Sequence, residues 1–317
     1  MIVVTGGAGF IGSNLIKALN HRGIKDIIVV DDLTNGLKFR NIVDCDVLDY
    51  VDKHQFLQKI VHNEWQAGSI QAIFHQGACT STLELDGRYL MQNNYEYSKQ
   101  LLDYSIREMI PFIYASSAAI YGASSICQEN PAYETPLNVY AYSKLMFDRY
   151  VQRHLNSVSS QIVGLRYFNV FGPNEWHKGT MKSVIQHFYD ELKKKKRITI
   201  FDQIPGCHRG EQQRDFIYVA DVIAVILWFY DNPSQRGIFN LGRGENISFN
   251  QIARLLIEKE GYGSICYQPI DETLLQFYQI FTKADISKLQ RAGYSQSFTT
   301  IADAVEHYLL NSPMISS

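Results

Sequence analysis

Five residues, Tyr140-Ala141-Tyr142-Ser143-Lys144, carry a tyrosine and a lysine four positions apart. On a helix that spacing puts both side chains on one face. An ammonium beside a phenol favours the phenolate, and a phenolate can take the proton from an alcohol while a hydride leaves the same carbon. The pair alone is weak evidence in a chain with 20 tyrosines. It gains weight from Ala115-Ser116-Ser117 upstream, where serines end an apolar run. A serine hydroxyl at the carboxyl end of a parallel strand can hold the reacting oxygen, because ligands of α/β sheets bind at that edge.

The second chemical motif is Gly7-Ala8-Gly9-Phe10-Ile11-Gly12, a G-x-G-x-x-G that follows the β-type run Ile2-Val3-Val4-Thr5. It opens a helical pattern, and an acid, Asp31, stands 19 positions after Gly12. That context defines a dinucleotide fingerprint: glycines bring the backbone close to a pyrophosphate, and a helix N-terminus offers it free N–H groups. Asp31 suits the hydroxyls of an adenosine ribose, which favours NAD. Lys38, Arg40 and Lys53 lie shortly after and suit a 2′-phosphate, so these residues by themselves leave NAD and NADP open.

Parts so arranged need a scaffold. Ile11, Leu15, Ala18 and Leu19 form one helical apolar face, and Gly23 stands where that helix would end. Apolar runs at 27–30, 72–74, 112–115 and 162–165 alternate with helical stretches at 95–108 and 142–154. Continuous apolar strands between amphipathic helices predict an α/β fold: a doubly wound, Rossmann-type parallel sheet covered on both faces. We expect a dinucleotide-binding domain over 1–170. The expected substrate lobe over 171–317 is smaller and of mixed α/β type, with some segments returning to the first domain.

Composition excludes several classes. Apolar residues make up 46% and charged residues 20% of the 317, so a sizeable core is available and disorder is not indicated. A net charge of -2 leaves no footprint for nucleic acid. No apolar run is long enough for a bilayer, and the glycine motif begins too early to leave room for a signal peptide. The five scattered cysteines form no CxxC pair, and the histidines show no metal spacing. A soluble cytoplasmic enzyme without a metal is expected. The run Lys193-Lys194-Lys195-Lys196-Arg197 reads as a solvated helix end.

The chain resembles the extended short-chain dehydrogenase/reductase superfamily, and within it the ADP-L-glycero-D-manno-heptose 6-epimerase family. Residues 4–14, Gly77-Ala78-Cys79, residues 114–121, Tyr140 to Lys144 and Arg166-Tyr167-Phe168-Asn169-Val170 carry the resemblance. Arg214-Asp215-Phe216 and Phe239-Asn240-Leu241-Gly242 extend it, and His177-Lys178-Gly179 is its heptose-specific part. The resemblance implies a catalytic set of Ser117 (before Ser116), Tyr140 and Lys144, with Lys178 as a second acid/base. It implies a bound NADP, held by Gly9, Phe10, Ile11, Gly12, Asp31, Asp32, Lys38 and Lys53. Gln76, Gly77, Ala78, Cys79, Thr80, Asn93, Lys144, Val170 and Lys178 would line the rest of that cofactor. Asn169, Thr180, His187, Phe201, Asp202, Gln203, Ile204, Arg214 and Tyr278 would hold an ADP-heptose. The implied reaction is epimerisation at C6 through a 6-keto sugar, supplying heptose for lipopolysaccharide, in a homo-oligomer, usually a pentamer.

The alternative is another sugar-nucleotide epimerase or reductase on this scaffold, such as a UDP-hexose 4-epimerase. A dehydratase is disfavoured, because Ala118-Ala119 supplies no acid pair beside Ser117. Two departures from the family pattern stand out: Asp32 where Asn is frequent, and a longer loop over 204–211, in which Arg209 is an alternative to Arg214.

Overall fold

The computed structural model describes residues 1–66, 68–275 and 278–311. Six strands fill the first half: β1 (Ile2–Thr5), β2 (Ile27–Asp31), β3 (Asp49–Asp52), β4 (Ala72–His75), β5 (Phe112–Ser117) and β6 (Ile162–Tyr167). Seven more follow: β7 (Asn169–Phe171), β8 (Ile198–Asp202), β9 (Gln213–Arg214), β10 (Phe216–Tyr218), β11 (Gly237–Leu241), β12 (Ile247–Ser248) and β13 (Ile265–Pro269). Seven of them form a parallel sheet in the order β11-β6-β5-β4-β1-β2-β3. β1, β2, β4 and β6 are buried along their whole length, which explains their unbroken apolar runs. β11 comes from the second half and completes the sheet beside β6. The remaining strands pair two by two, β10 with β7, β12 with β9 and β13 with β8.

The helices that matter for the site are α1 (Phe10–His21), α2 (Lys53–Val61), α3 (Gly87–Leu90), α4 (Tyr97–Arg107), α5 (Val139–His154) and α6 (Val184–Lys195). α1 buries Leu15, Ile16 and Leu19 against the sheet, each a contribution of roughly 1.5–3 kcal/mol. Gly23 follows it at φ +78, beyond the last turn. Between α3 and α4 the helix widens into a π-turn over Met91–Glu96, which no periodicity in the sequence announced. α5 starts at Asn138, whose side chain accepts from Ala141 N at 2.8 Å. The basic run closes α6, with Lys196 left-handed at φ 56 and Lys193 paired with Glu260 at 2.9 Å. Among the described residues no helix is long and apolar enough to cross a membrane, and no cluster could hold a metal ion.

Candidate active site

The carboxyl ends of β1, β2, β4 and β5 converge on a groove that opens between α1 and the chain after β7. The glycine loop forms its floor. Gly6 takes φ +66, and a Cβ there would lie 2.6 Å from the Cα of Gly77. A Cβ on Gly12 would lie 2.2 Å from the carbonyl oxygen of Gly6. No other residue fits either position without moving backbone. Asp31 ties the loop down, accepting from Ala8 N at 2.8 Å and from its own neighbour Asp32 N at 2.6 Å.

The end of the groove beside β2 is lined by Asp31, Asp32, Lys38, Lys53, Asn93, Gly77, Ala78 and Cys79. Lys38 Nζ stands 2.6 Å from Asp31, and Lys53 Nζ lies 2.9 Å from Asp32 and 3.1 Å from Asn93 Oδ1. Hydrogen bonds from Thr34, with Lys53 helping, hold the Asp32 carboxyl well below the usual carboxylate range. Two cations and two carboxylates therefore face each other where a ribose would sit. Gly9, Phe10, Ile11, Gly12, Gln76, Thr80 and Lys178 line the middle of the groove.

The inner cleft brings together Phe10, Gln76, Ser117, Tyr140, Lys144, Asn169, Val170 and Lys178. Tyr140 and Lys144 share one face of α5. Lys144 Nζ donates to the carbonyl of Ala115 at 2.9 Å, and burial brings its pKa down to about 8. Burial pushes the Tyr140 phenol up, opposed by a hydrogen bond with Ser117. The Lys144 ammonium is turned to the Ala115 carbonyl and makes no hydrogen bond to the phenol. The two serines separate clearly. Ser116 Oγ donates to Asp148 at 2.9 Å, within a buried network in which Arg166 binds Asp148 at 2.8 Å and Glu134 at 2.5 Å. Ser117 stays beside the phenol and accepts from Ala119 N at 3.1 Å.

Lys178 arrives from the opposite wall, on a short 3₁₀ segment, Trp176–Met181. Its ammonium lies 5.6 Å from the Phe10 ring centre, and burial lowers its pKa. Sequence reasoning missed what anchors this strap. Asn41 donates to Ala8 O at 2.9 Å and accepts from Trp176 Nε1 at 2.9 Å, joining the strap to the glycine loop. Asn14 donates to Pro173 O at 3.0 Å, and Asn174 donates to Ser13 Oγ at 3.0 Å. Apart from Asn41 and Ala8, which stand 33 positions apart, these partners lie more than a hundred residues apart, so no local pattern could reveal them.

The residues expected to hold a sugar nucleotide fall into groups. Asn169 is in the cleft and donates to Asp215 O and Thr282 Oγ1, both at 3.1 Å. Thr180 and His187 are neighbours, with His187 Nε2 3.1 Å from Thr180 O. Phe201, Arg214 and Tyr278 cluster apart from these, with Arg214 5.3 Å from the Tyr278 ring centre and Phe201 6.3 Å from it. Asp202 is bound by Arg209 at 2.9 Å, Gln203 is left-handed at φ 59 and Ile204 is buried. Arg209 is thus committed to Asp202 and the Tyr267 ring, while Arg214 is buried with no carboxylate partner among the described residues.

Two observations test the groove against a dinucleotide. The glycine floor is a cradle that a Cβ would fill. Gln76, which lines the cleft, has its Nε2 buried without a hydrogen-bond partner among the described residues, while its Oε1 accepts from Tyr167 OH at 2.7 Å. Both fit a nicotinamide cofactor lying along the groove.

The fold and this site define a nicotinamide-dinucleotide-dependent enzyme of the doubly wound class. The chain belongs to the NAD dependent epimerase/dehydratase family, whose profile matches residues 2–242. Within it, the chain is 50% identical over 309 residues to the ADP-L-glycero-D-manno-heptose-6-epimerase of Alkalilimnicola ehrlichii, covering 98% of this chain and 96% of that protein. The Helicobacter pylori structure of the same name superposes with a TM-score of 0.85 at 29% identity, over 98% of this chain and 95% of that one. The UDP-glucose 4-epimerase of Thermotoga maritima follows at 0.82 and 26%, over 98% and 97%.

Proposed function

We propose that this chain interconverts ADP-D-glycero-D-manno-heptose and ADP-L-glycero-D-manno-heptose at C6, through a 6-keto sugar. The observation that carries the reading is that Tyr140 and Lys178 line one cleft from separate walls, each able to exchange a proton. The C6–H bond of a carbinol is not acidic, so inversion by simple deprotonation is closed. A bound nicotinamide supplies a reversible two-electron acceptor at that carbon. The protein's own groups handle the protons. In one epimer Tyr140 takes the hydroxyl proton, with Ser117 hydrogen-bonded to the phenol. In the other, the oxygen lies toward Lys178, whose lowered pKa makes its ammonium a readier proton donor and its amine more accessible. Lys144 supplies positive charge behind the phenol once the phenolate forms.

Gly9 to Gly12 would hold the pyrophosphate, and Gln76, Ala78, Thr80 and Val170 the nicotinamide end. The cofactor is NADP in this reading, with Lys38 and Lys53 turning from Asp31 and Asp32 to a 2′-phosphate. Asn169, Thr180, His187, Phe201, Arg214 and Tyr278 would hold the ADP-heptose, Arg214 meeting its diphosphate. A homo-oligomer working in the cytoplasm completes the proposal. The relative at 50% identity, named for this reaction, supports it.

The test is made on purified protein without added cofactor. Release of NADP on denaturation, with conversion of the heptose and no change in the reduced-nicotinamide absorbance, is expected. Inert heptose with turnover of another nucleotide sugar would transfer the site to a different substrate.

A further inference from the structure

Glu175 belongs to none of the motifs, yet it is wholly buried beside the site, three residues before Lys178. Its carboxylate accepts from Gly172 N at 3.2 Å, Ser183 N at 2.6 Å and Ser183 Oγ at 2.8 Å. Those donors flank the Lys178 strap on either side: Gly172 follows β7 and Ser183 caps α6. Its backbone carbonyl accepts from Lys178 N at 3.0 Å. One buried side chain thus closes the strap into a loop of set length.

No cation lies within ion-pair distance of Glu175 among the described residues. The Lys178 ammonium, for its part, has no hydrogen-bond or ion-pair partner there. The two unpaired charges sense each other through a partly dry interior, where such interactions persist. Burial raises the Glu175 carboxyl and lowers the Lys178 ammonium, and each charge opposes the shift of the other.

The other charged groups around Lys178 are already committed. Lys182 pairs with Asp190 at 3.0 Å, and Lys38 pairs with Asp31. Lys144 lines the same cleft but donates to Ala115 O, and Tyr140 is neutral near pH 7. His177 is held near 4 by burial, so it is uncharged.

We propose that Glu175 is the positioning residue for Lys178: it locks the strap at both ends and supplies the fixed negative charge against which the Lys178 amine gains and loses its proton. The consequence for turnover rests on the acid–base reading of Lys178 above; the charge coupling itself does not.

The test reads Lys178 directly. Lysines of the holoenzyme are reductively dimethylated with carbon-13, and the Lys178 signal is identified by its loss in Lys178→Met. In Glu175→Gln we expect its titration to move down by roughly one pH unit, the scale of one nearby charge. The kcat limb that reports Lys178 should move the same way, with KM little changed. Ser183→Ala removes one hydrogen bond but keeps the charge, and should leave the titration nearly where it was. If Glu175→Gln does not fold, Glu175→Asp withdraws the charge and should give a smaller downward move. An unmoved titration in the Glu175 variants, or an equal move in Ser183→Ala, overturns the proposal. Wild-type turnover in Lys178→Met, with the titration still shifted by Glu175→Gln, would sink the acid–base reading and leave the coupling standing.

Discussion

Tyr140 and Lys178 meet in one cleft, but the molecule holds them by different means. Tyr140 rides on a sixteen-residue helix, capped by Asn138 and packed on the sheet. Lys178 sits on a 3₁₀ strap with one left-handed glycine, tied down by Asn14, Asn41, Asn174 and Glu175. The helix wall rests on apolar burial, which tolerates change at its surface. The strap wall rests on a few polar bonds between distant residues, each of which can be lost singly. The difference teaches where a shared scaffold can be specialised. In the proposed mechanism the sheet wall supplies the Tyr140–Lys144 chemistry, and the strap supplies Lys178.

The largest effects should come from Tyr140 and Lys178, the two groups proposed to handle protons. Tyr140→Phe should lower kcat by roughly 10²–10⁴ without changing thermal stability. Lys178→Met should cost a similar factor in kcat; a rise in KM alone would make the strap a binding wall only.

Acid stability separates the two walls next. His75 lies under the sheet wall, bonded to Thr5 Oγ1 at 2.6 Å and Ser98 Oγ at 2.8 Å, and burial holds its pKa near 3. In the unfolded chain histidine titrates near 6.5. As pH falls from about 6.5 toward about 3 the unfolded state gains a proton that the native state refuses, so stability drops by roughly 1.4 kcal/mol per pH unit. Denaturant unfolding across that window should lose most of this slope in His75→Gln. His177 on the strap, held near 4, should add a smaller share.

At the adenosine end, Lys38→Ala with Lys53→Ala should weaken NADP binding by about 10–100-fold, the size of lost charge-assisted hydrogen bonds, and leave NAD nearly untouched. Equal losses for both cofactors would show that the lysines serve only Asp31 and Asp32.

The smallest contrast lies in two glycines. A methyl on Gly12 meets the Gly6 carbonyl at 2.2 Å, so Gly12→Ala should cost roughly 1–3 kcal/mol and release cofactor. Gly179 has open space around a Cβ, so Gly179→Ala should cost only the left-handed backbone, about 1–2 kcal/mol, with cofactor retained.

Much of this was legible from residue order. The buried strands, the glycine loop with Asp31, and the Tyr140–Lys144 pair all obey local rules of period and spacing. Resemblance, not spacing, pointed to Lys178 and to the sugar-nucleotide residues. A return of second-half segments to the first domain was expected, but not that β11 would take the sheet edge at β6; invisible in either way were the π-turn over Met91–Glu96 and the contacts of Asn41 and Glu175.

The sequence by itself determined the elements and the near-neighbour chemistry, because helix faces, caps and a phosphate-binding turn depend on residues a few positions apart. The resemblance already put Ser117 before Ser116, but only the tertiary structure supplied the reason, Ser116 being held by Asp148, and only it decided that Arg214 rather than Arg209 is left without a carboxylate among the described residues. It also decided that a buried carboxylate stands behind Lys178. Each of those outcomes depends on which partner, far away in the chain, reaches the side chain first: Asp148 for Ser116, Asp202 for Arg209, Ser183 for Glu175. Such competition is settled by packing in three dimensions, and no spacing along the chain encodes it.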